Sequence, residues 1–272
     1  MPCIVNLSAI HTLLPDSASI NKFARLCDLY STSCFNYCPS MFQSYSNIAW
    51  VYYQNMRHFE TLIKPYKRGK MDTREFMMKL AAIFDFIETE KLEKNDSTQE
   101  YLMSDPKYQA LEDAWDATIQ MDDEMAKRFP ELIDIAKTEP VYLISNTNEL
   151  HVFAILSLLK KYNPEVNFYP NIDFSVEYNN RPIEIAPNIF LCLSYRYQLF
   201  KTLGQNSQQD ASTTMSLLRQ LVEHTLKNKT ADITIISQYD EDRKEARRLG
   251  IPDDNIFSAD FYFVPDTELT LS

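Results

Sequence analysis

The sequence predicts an α/β fold: a parallel sheet with helices on both faces and an α-helical cap domain inserted after the first strand. Short apolar runs alternate with helical patterns in the second half of the 272-residue chain, which is typical of parallel sheets. A helical pattern from about residue 20 to residue 136 separates the first run from the second, and it is too long for one crossover helix. We therefore expect the core at residues 1–15 and 137–272, and the cap at residues 16–136.

The individual elements follow from local patterns. Strand candidates are short apolar runs, and helix candidates have apolar residues three and four apart or a capping signal at their start. The strand candidates are 3–14 (running into a turn), 140–144, Ile189–Leu193, 232–236 and 256–263. The helix candidates are 72–86, a helix opening at Pro106, Glu149–Tyr162, 215–227 and 240–249, where Gly250 ends the last one. A hairpin at 174–185 and a polar insert at 205–214 complete the pattern.

Composition excludes several function classes. The chain has 27 Lys and Arg against 38 Asp and Glu, a formal net charge of -11, which disfavours nucleic acids and anionic membrane surfaces as partners. Its three glycines lie far apart, so neither a Walker loop nor a dinucleotide fingerprint is present. The four histidines are equally scattered and give no short-range zinc spacing.

The five cysteines indicate a reducing compartment. Their number is odd and no CxxC occurs, so free thiols are the simplest interpretation; the alternative is a redox or metal cluster at Cys27, Cys34 and Cys38. No apolar run approaches the ~18 residues that span a bilayer, and the first residues do not resemble a signal peptide. We expect a soluble cytoplasmic protein, although export by a non-standard route would leave no mark on these features.

Ligands of parallel-sheet folds bind where the strands end, so the residues after each strand carry the functional argument. Five stretches stand out: YLISNTNELH (142–151), RGKMDTREF (68–76), LEDAWDA (111–117), LSYRYQLFK (193–201) and EARRLGI (245–251). Taken in their order along the chain, they resemble the haloacid dehalogenase-like (HAD) hydrolase superfamily, in particular its small-molecule phosphatases with a helical cap, and 142–151 is the most specific match. The resemblance implies a Rossmann-like core and a site at the carboxyl ends of the strands.

The resemblance also implies a set of site residues, of which this chain keeps half. In the family a Ser or Thr of the second motif and a lysine of the third hold the phosphoryl oxygens. Ser145, with Asn146 beside it, and Lys201 match those positions. Ser145 has an alternative role as a helix N-cap, Asn146 as a turn former, and Lys201 as a solvated surface lysine.

The catalytic half of the set is missing. The family uses an aspartate nucleophile, a second aspartate as general acid and base, and fourth-motif carboxylates that bind magnesium. Here Asn6 stands at the nucleophile, Ser8 at the acid/base position, and Ser237 and Gln238 at the metal carboxylates. An amide cannot attack phosphorus and a serine hydroxyl cannot shuttle a proton near neutral pH. We therefore predict that no catalytic or metal site is intact.

The leading hypothesis is a catalytically degenerate pseudo-hydrolase that binds a protein partner or a small anionic ligand and needs no cofactor. The alternative is a magnesium-dependent phosphatase of small phosphorylated metabolites with a relocated site. A shifted alignment would let Asp240, Glu241 or Asp242 serve as a displaced fourth motif, but no Asp or Glu precedes Asp16. The sequence leaves the oligomeric state open.

Overall fold

The computed structural model divides the chain into two compact units. One comprises residues 1–12 and 121–272, and the other comprises residues 13–120. The described residues are 1–7, 12–13, 22, 54, 57–83, 106–117, 119–120, 123–170, 172, 174, 181–199, 215–227 and 229–263.

Eight short strands lie within the described residues, and six of them form one sheet. The strands are β1 (Cys3–Asn6), β2 (Thr12–Leu13), β3 (Ile119–Gln120), β4 (Val141–Ser145), β5 (Ile183–Ala186), β6 (Ile189–Leu193), β7 (Thr234–Ile236) and β8 (Ile256–Phe257). The six-stranded sheet has the order β5-β6-β4-β1-β7-β8, while β2 and β3 form a separate two-stranded sheet. Every neighbouring pair in the large sheet is parallel except β5 and β6, which are antiparallel.

The helices lie between these strands and in the second unit. They are α1 (Lys64–Lys67), α2 (Thr73–Ile83), α3 (Pro106–Asp116), α4 (Asp123–Ala136), α5 (Glu149–Tyr162), α6 (Ser194–Tyr197), α7 (Leu217–Gln220), α8 (Asp240–Arg248) and α9 (Ala259–Tyr262). A π-helical turn precedes α1 at Phe59–Ile63, and another follows α7 at Leu221–Thr225. Short 3-10 turns occupy Thr230–Asp232 and Asp253–Asn255.

The burial of the central strands explains their composition. All residues of β1 and β4 are buried, as expected for parallel strands that are covered on both faces and therefore read as continuous apolar runs. Ile4 and Ile144 share a buried cluster with Leu217 and Leu221, which belong to α7 and the turn after it. The predicted α/β fold with a mostly parallel sheet is thus confirmed.

The register places the carboxyl ends of the parallel strands at one edge. Asn6 is level with Ile144 of β4, and Val5 is level with Ile236 of β7. Ser145 of β4 is level with Leu193 of β6. The residues that end these strands or directly follow them therefore lie side by side, because neighbouring strands are only about 4.8 Å apart.

The hairpin that the structure describes in this region is formed by β5 and β6. β5 pairs with the following strand β6, and the chain reverses at Pro187 and Asn188, where Asn188 takes a positive φ of 61°. Asparagine tolerates that conformation well, which makes this short turn favourable. Residues 175–180, most of the first predicted arm, lie outside the described residues, as does the polar insert at 205–214.

The last predicted strand is shorter than its apolar run. Only Ile256 and Phe257 pair with β7, and α9 begins two residues later. Tyr262 packs its ring against both Phe257 and Phe263, with centroid distances of 5.3 Å in each case. Aromatic packing between a strand and a short helix therefore produces the apolar pattern that resembles a longer strand.

The described part of the second unit, residues 13–120, is mainly helical around an aromatic core. The Tyr66 ring stacks on Phe76 at 3.9 Å, and Trp115 meets Phe76 edge-on at 4.7 Å. Asp72 caps the start of α2, since its Oδ1 accepts a hydrogen bond from the Glu75 amide at 2.7 Å.

α4 belongs to the unit that contains the sheet, and the other unit ends at residue 120. That residues 16–136 form a cap remains a prediction. Among the described helices, none combines the length and the apolar character that a membrane crossing requires.

Candidate functional site

The carboxyl edge of the sheet gathers small polar side chains. Asn6 ends β1 and Ser145 ends β4, while Ser194, Ser237 and Ser258 directly follow β6, β7 and β8. Asn6, Ser145, Ser194 and Ser237 are all buried. Buried polar groups need hydrogen-bond partners, so the partners of these side chains define what the edge can do.

Asn6 lies in a buried network with Ser237 and Asp242. The Asn6 amide nitrogen donates to Asp242 Oδ2 at 2.8 Å and to Ser237 Oγ at 3.2 Å. Ser237 Oγ in turn donates to the same Asp242 oxygen at 2.6 Å. The three side chains are between 1% and 2% exposed. One carboxylate oxygen therefore accepts two hydrogen bonds from neutral groups.

The segment between β7 and α8 holds this network in place. The Tyr239 amide donates to Ser237 Oγ at 3.1 Å, and Arg243 donates to the Ser237 carbonyl oxygen at 2.6 Å. Arg243 also pairs with Asp240 on the surface. Asp242 lies in the first turn of α8, where the partial positive charge of the helix N-terminus favours a carboxylate.

The structure separates the candidates for a displaced fourth motif. Asp242 is buried and contacts Asn6, whereas Asp240 and Glu241 are exposed. Ser237 lies beside Asn6, as its predicted position requires, but Gln238 is only half-buried and its Oε1 accepts no hydrogen bond from the described residues. The useful sequence signal for Asp242 is its place on the inward face of a short, otherwise charged helix.

The chemistry of this network differs from that of a phosphatase site. Asn6 offers an amide where the family has a nucleophilic aspartate, and its nitrogen is the atom that faces Asp242. A magnesium ion takes hard oxygen ligands, including one or two carboxylates. A cation bound at Asp242 Oδ2 would have to displace the Asn6 N–H and the Ser237 hydroxyl hydrogen, which already point at that oxygen. The donor set of the described residues does not fit magnesium.

The other described residues offer no metal site either. No group of three or more His, Cys, Asp or Glu side chains among them could hold a metal ion. Ser8 and Lys201 lie outside the described residues, as do His11, Cys27, Cys34 and Cys38. The predicted acid/base and lysine positions therefore remain predictions.

The other half of the edge is built around the end of β4. Ser145 is buried, and Asn146 beside it is half-buried. Ser194 Oγ accepts a hydrogen bond from the Thr147 amide at 3.0 Å and donates to the Thr147 carbonyl at 3.1 Å. This pair of bonds joins the segment after β4 to the segment after β6.

The N-cap of α5 is Asn148 rather than Ser145. Asn148 Oδ1 accepts a hydrogen bond from the His151 amide at 3.1 Å, in the geometry of a helix cap. The capping alternative for Ser145 was therefore wrong, because the chain needs three more residues to turn from the strand into the helix. Ser145 stays at the strand end.

Arg196 is a cation at this edge that sequence reasoning missed. It lies in α6, which begins directly after β6, and is buried together with Ser194, Tyr195 and Tyr197. The motif stretch at 193–201 contains it, but the family resemblance directs attention to Lys201 alone. A charged residue within three positions of a strand end was the signal available.

The buried thiols of this unit are packing groups. Cys3 and Cys192 are free and buried. Burial, with a smaller contribution from Glu139, raises the pKa of Cys3 to about 12, and burial raises the pKa of Cys192 as well. Both thiols are therefore protonated near neutral pH and poor nucleophiles.

Comparison with known proteins identifies the fold. The chain matches no protein-family model and no curated protein sequence. A crystal structure of a HAD family enzyme from Bacteroides thetaiotaomicron in complex with magnesium is similar over 100% of this chain and 98% of that chain, with 14% identity and a TM-score of 0.55. A variant of that enzyme with an aspartate replaced by alanine, in complex with magnesium and inorganic phosphate, covers 94% and 92%, with 15% identity and a TM-score of 0.53. Together with the mostly parallel sheet, these likenesses show that the chain has the HAD-like α/β fold.

Proposed function

We propose that this protein is a catalytically degenerate HAD-like protein, a pseudo-hydrolase that works by binding. The observation that carries the proposal is Asn6 at the end of β1, with its amide nitrogen 2.8 Å from the buried Asp242 carboxylate. An amide at this position lacks the anionic oxygen that attacks phosphorus. Losing the nucleophile of an unrelated hydrolase lowers turnover roughly a million-fold, so one such change is enough to abolish useful catalysis.

The ligand we favour is a small anion held at the β4 half of the edge. Ser145 supplies a hydroxyl there, Asn146 lies next to it, and Lys201 is the cation that the family resemblance assigns. The solved enzyme with this fold whose aspartate was replaced by alanine still formed a complex with magnesium and inorganic phosphate. That observation supports anion binding in this fold without a complete set of carboxylates.

A protein partner is the second ligand class that this proposal includes. Degenerate members of a fold can keep an interaction surface after the chemistry is lost, since function resides in the site rather than in the fold. With a formal net charge of -11, the chain disfavours nucleic acids and anionic membranes as partners. A cytoplasmic location fits the free thiols Cys3 and Cys192.

The competing function is a magnesium-dependent phosphatase of small phosphorylated metabolites. One observation favours it: Asp242 brings a carboxylate to the position beside Asn6. In that case Asp242 would serve as the relocated acid or metal ligand. The two hypotheses differ in whether turnover exists and whether it depends on Asn6 and Asp242.

The first experiment measures hydrolysis of a panel of small phosphoesters with magnesium, for the natural protein, Asn6→Ala and Asp242→Asn. We expect no turnover from any of the three. Magnesium-dependent turnover that disappears in either variant would contradict the proposal and establish the phosphatase. Equal turnover in all three preparations would indicate a contaminating enzyme, which repurification would remove together with the activity.

Binding is tested with inorganic phosphate as the probe and the shift of the melting temperature as the readout. We expect a saturable rise in the natural protein that Ser145→Ala abolishes. Ser258→Ala is the matched control, because Ser258 follows β8 on the same edge but lies three strands away. A phosphate shift that Ser145→Ala leaves unchanged would argue against the proposed anion site.

A further inference from the structure

We propose that the network of Asn6, Ser237 and Asp242 takes the place of a bound cation. Hydrogen bonds from neutral groups then stabilise the buried carboxylate, and the carboxyl edge of the sheet needs no divalent ion for its stability. This inference does not rest on the proposed function, because it concerns the stability of the edge whether or not the edge binds an anion.

The geometry of the three side chains supports it. Asp242 Oδ2 accepts from the Asn6 amide nitrogen at 2.8 Å and from Ser237 Oγ at 2.6 Å. Both distances are short enough for strong hydrogen bonds, since hydrogen bonds to an ionised acceptor have these lengths. The donors come from two neighbouring strand ends, β1 and β7, while the acceptor comes from α8. The network therefore ties three elements together at the centre of the edge.

The electrostatic surroundings of the Asp242 carboxylate also support the proposal. A carboxylate that is 1% exposed is costly unless charged or hydrogen-bonding groups compensate it. Here two neutral donors provide part of that compensation, and the first turn of α8 adds its helix dipole. The arrangement leaves the positions next to Asp242 Oδ2 occupied by N–H and O–H groups, which repel a cation.

Replacing the Asn6 amide by a carboxylate should create a need for a cation. Asn6→Asp replaces the donor 2.8 Å from Asp242 Oδ2 with a second carboxylate of nearly the same shape. Two carboxylates so close cannot both stay ionised in a buried site unless a cation lies between them. The variant should therefore become less stable and should acquire a requirement for magnesium, which carboxylate oxygens bind.

The experiment compares melting temperatures of the full chain in a chelator and across a magnesium titration at constant ionic strength. The variants are Asn6→Asp, the exchanged pair Asn6→Asp with Asp242→Asn, and the control Asn163→Asp. Asn163 is also buried, and its side-chain amide donates to the Leu159 carbonyl at 3.1 Å, so the control loses a buried donor without facing Asp242. The exchanged pair restores one amide facing one carboxylate.

We expect the natural protein to melt at the same temperature with and without magnesium. Asn6→Asp should melt about 5–10 °C lower in chelator and recover with magnesium. The exchanged pair should regain most of the loss and ignore magnesium, and Asn163→Asp should be destabilised without responding to magnesium.

Two results would overturn the inference. One is a saturable magnesium stabilisation of the natural protein that Asp242→Asn removes, which would reveal a cation site in the native edge. The other is an Asn6→Asp variant that is as stable as the natural protein in chelator. If Asn6→Asp alone does not fold, the exchanged pair decides: stable and magnesium-independent supports the inference, and unfolded contradicts it.

Discussion

Two inward-facing carboxylates of this molecule lie in opposite surroundings. Asp242, at the carboxyl edge of the sheet, accepts hydrogen bonds from Asn6 and Ser237. Asp116, at the end of α3 in the second unit, lies near Glu112 and Asp113. Asp242 accepts hydrogen bonds from neutral donors, whereas two acids, Glu112 and Asp113, act on Asp116.

The consequences differ accordingly. Burial, with additions from Glu112 and Asp113 and an opposing contribution from Lys22, raises the pKa of Asp116 from 3.8 to about 7. Burial likewise raises the pKa of Glu112, with Asp113 as the second cause. The protonated form of Asp116 therefore predominates below about pH 7, whereas Asp242 accepts two hydrogen bonds at the carboxyl edge of the sheet.

A second buried acid of the sheet unit follows the donor-rich pattern. Glu245 is 2% exposed, and Ser216 Oγ donates to its Oε1 at 3.0 Å while accepting from the Arg219 amide at 3.1 Å. Arg248 approaches the other oxygen at 3.6 Å. At Asp242 and at Glu245, donors reach one oxygen of a buried carboxylate, whereas burial raises the pKa of Asp116 and so favours its protonated form.

The largest effect should come from removing the donor-held carboxylate. Asp242→Ala leaves the Asn6 amide and the Ser237 hydroxyl without their shared acceptor in a buried site, so we expect a loss of about 2–4 kcal/mol in the free energy of unfolding. Urea unfolding followed by far-ultraviolet circular dichroism measures it. Asp240→Ala is the control, because Asp240 is exposed and its ion pair with Arg243 is worth at most about 1 kcal/mol. Equal losses in the two variants would show that the hydrogen bonds to Asp242 add no stability beyond that of an exposed acid. The contrast between Asp242 and Asp116 would then fail.

Removing the charge of Asp116 should raise the free energy of unfolding instead of lowering it. Its raised pKa means that the folded protein holds the proton more tightly than the unfolded chain, so stability falls as pH rises from 3.8 to about 7. Asp116→Asn should therefore stabilise the second unit by on the order of 1–2 kcal/mol near pH 8, a figure reduced for partial exposure, and have little effect near pH 4.

Tryptophan fluorescence is the suitable probe for Asp116→Asn, because both tryptophans, Trp50 and Trp115, belong to residues 13–120. Urea unfolding at the two pH values gives the comparison directly. A gain that is the same at both would show that the substitution acts through packing rather than through the charge.

Sequence reasoning predicted the fold well because the fold rests on local patterns. Apolar runs and helical spacing located β4 and α5, and the bounds of α5 agree with the prediction at Glu149–Tyr162. The patterns were less reliable where tertiary contacts decide. The strand at 256–263 was predicted from an apolar run, whereas the structure has a two-residue strand followed by a short helix, with aromatic packing around Tyr262. Most of the first arm of the predicted hairpin at 174–185 lies outside the described residues, so that hairpin stays a prediction.

The sequence could predict that the strand-end residues of the site lie side by side, but it could not predict their hydrogen bonds. The strand-end rule brought attention to Asn6, Ser145 and Ser237, because register in a parallel sheet follows from the strands themselves. Asp242 entered only as one of three neighbouring carboxylates, although its spacing to Glu245 and Ala246 places it on the buried face of α8. Its hydrogen bond with Asn6 joins residues 236 positions apart in the chain.

The smallest expected effect provides a neutral reference for the charged network. Asn148 caps α5 on the same edge, where its Oδ1 accepts a hydrogen bond from the His151 amide. Both groups in this bond are uncharged. Asn148→Ala should cost about 1 kcal/mol, and Asn148→Ser, which can also cap, should cost less. Urea unfolding by circular dichroism gives both values on the scale used for Asp242→Ala. If the Asn148 and Asp242 losses were equal, the edge would owe its stability to hydrogen bonds in general. A clearly larger loss at Asp242 would instead show that the buried charge sets the demand for the donors Asn6 and Ser237.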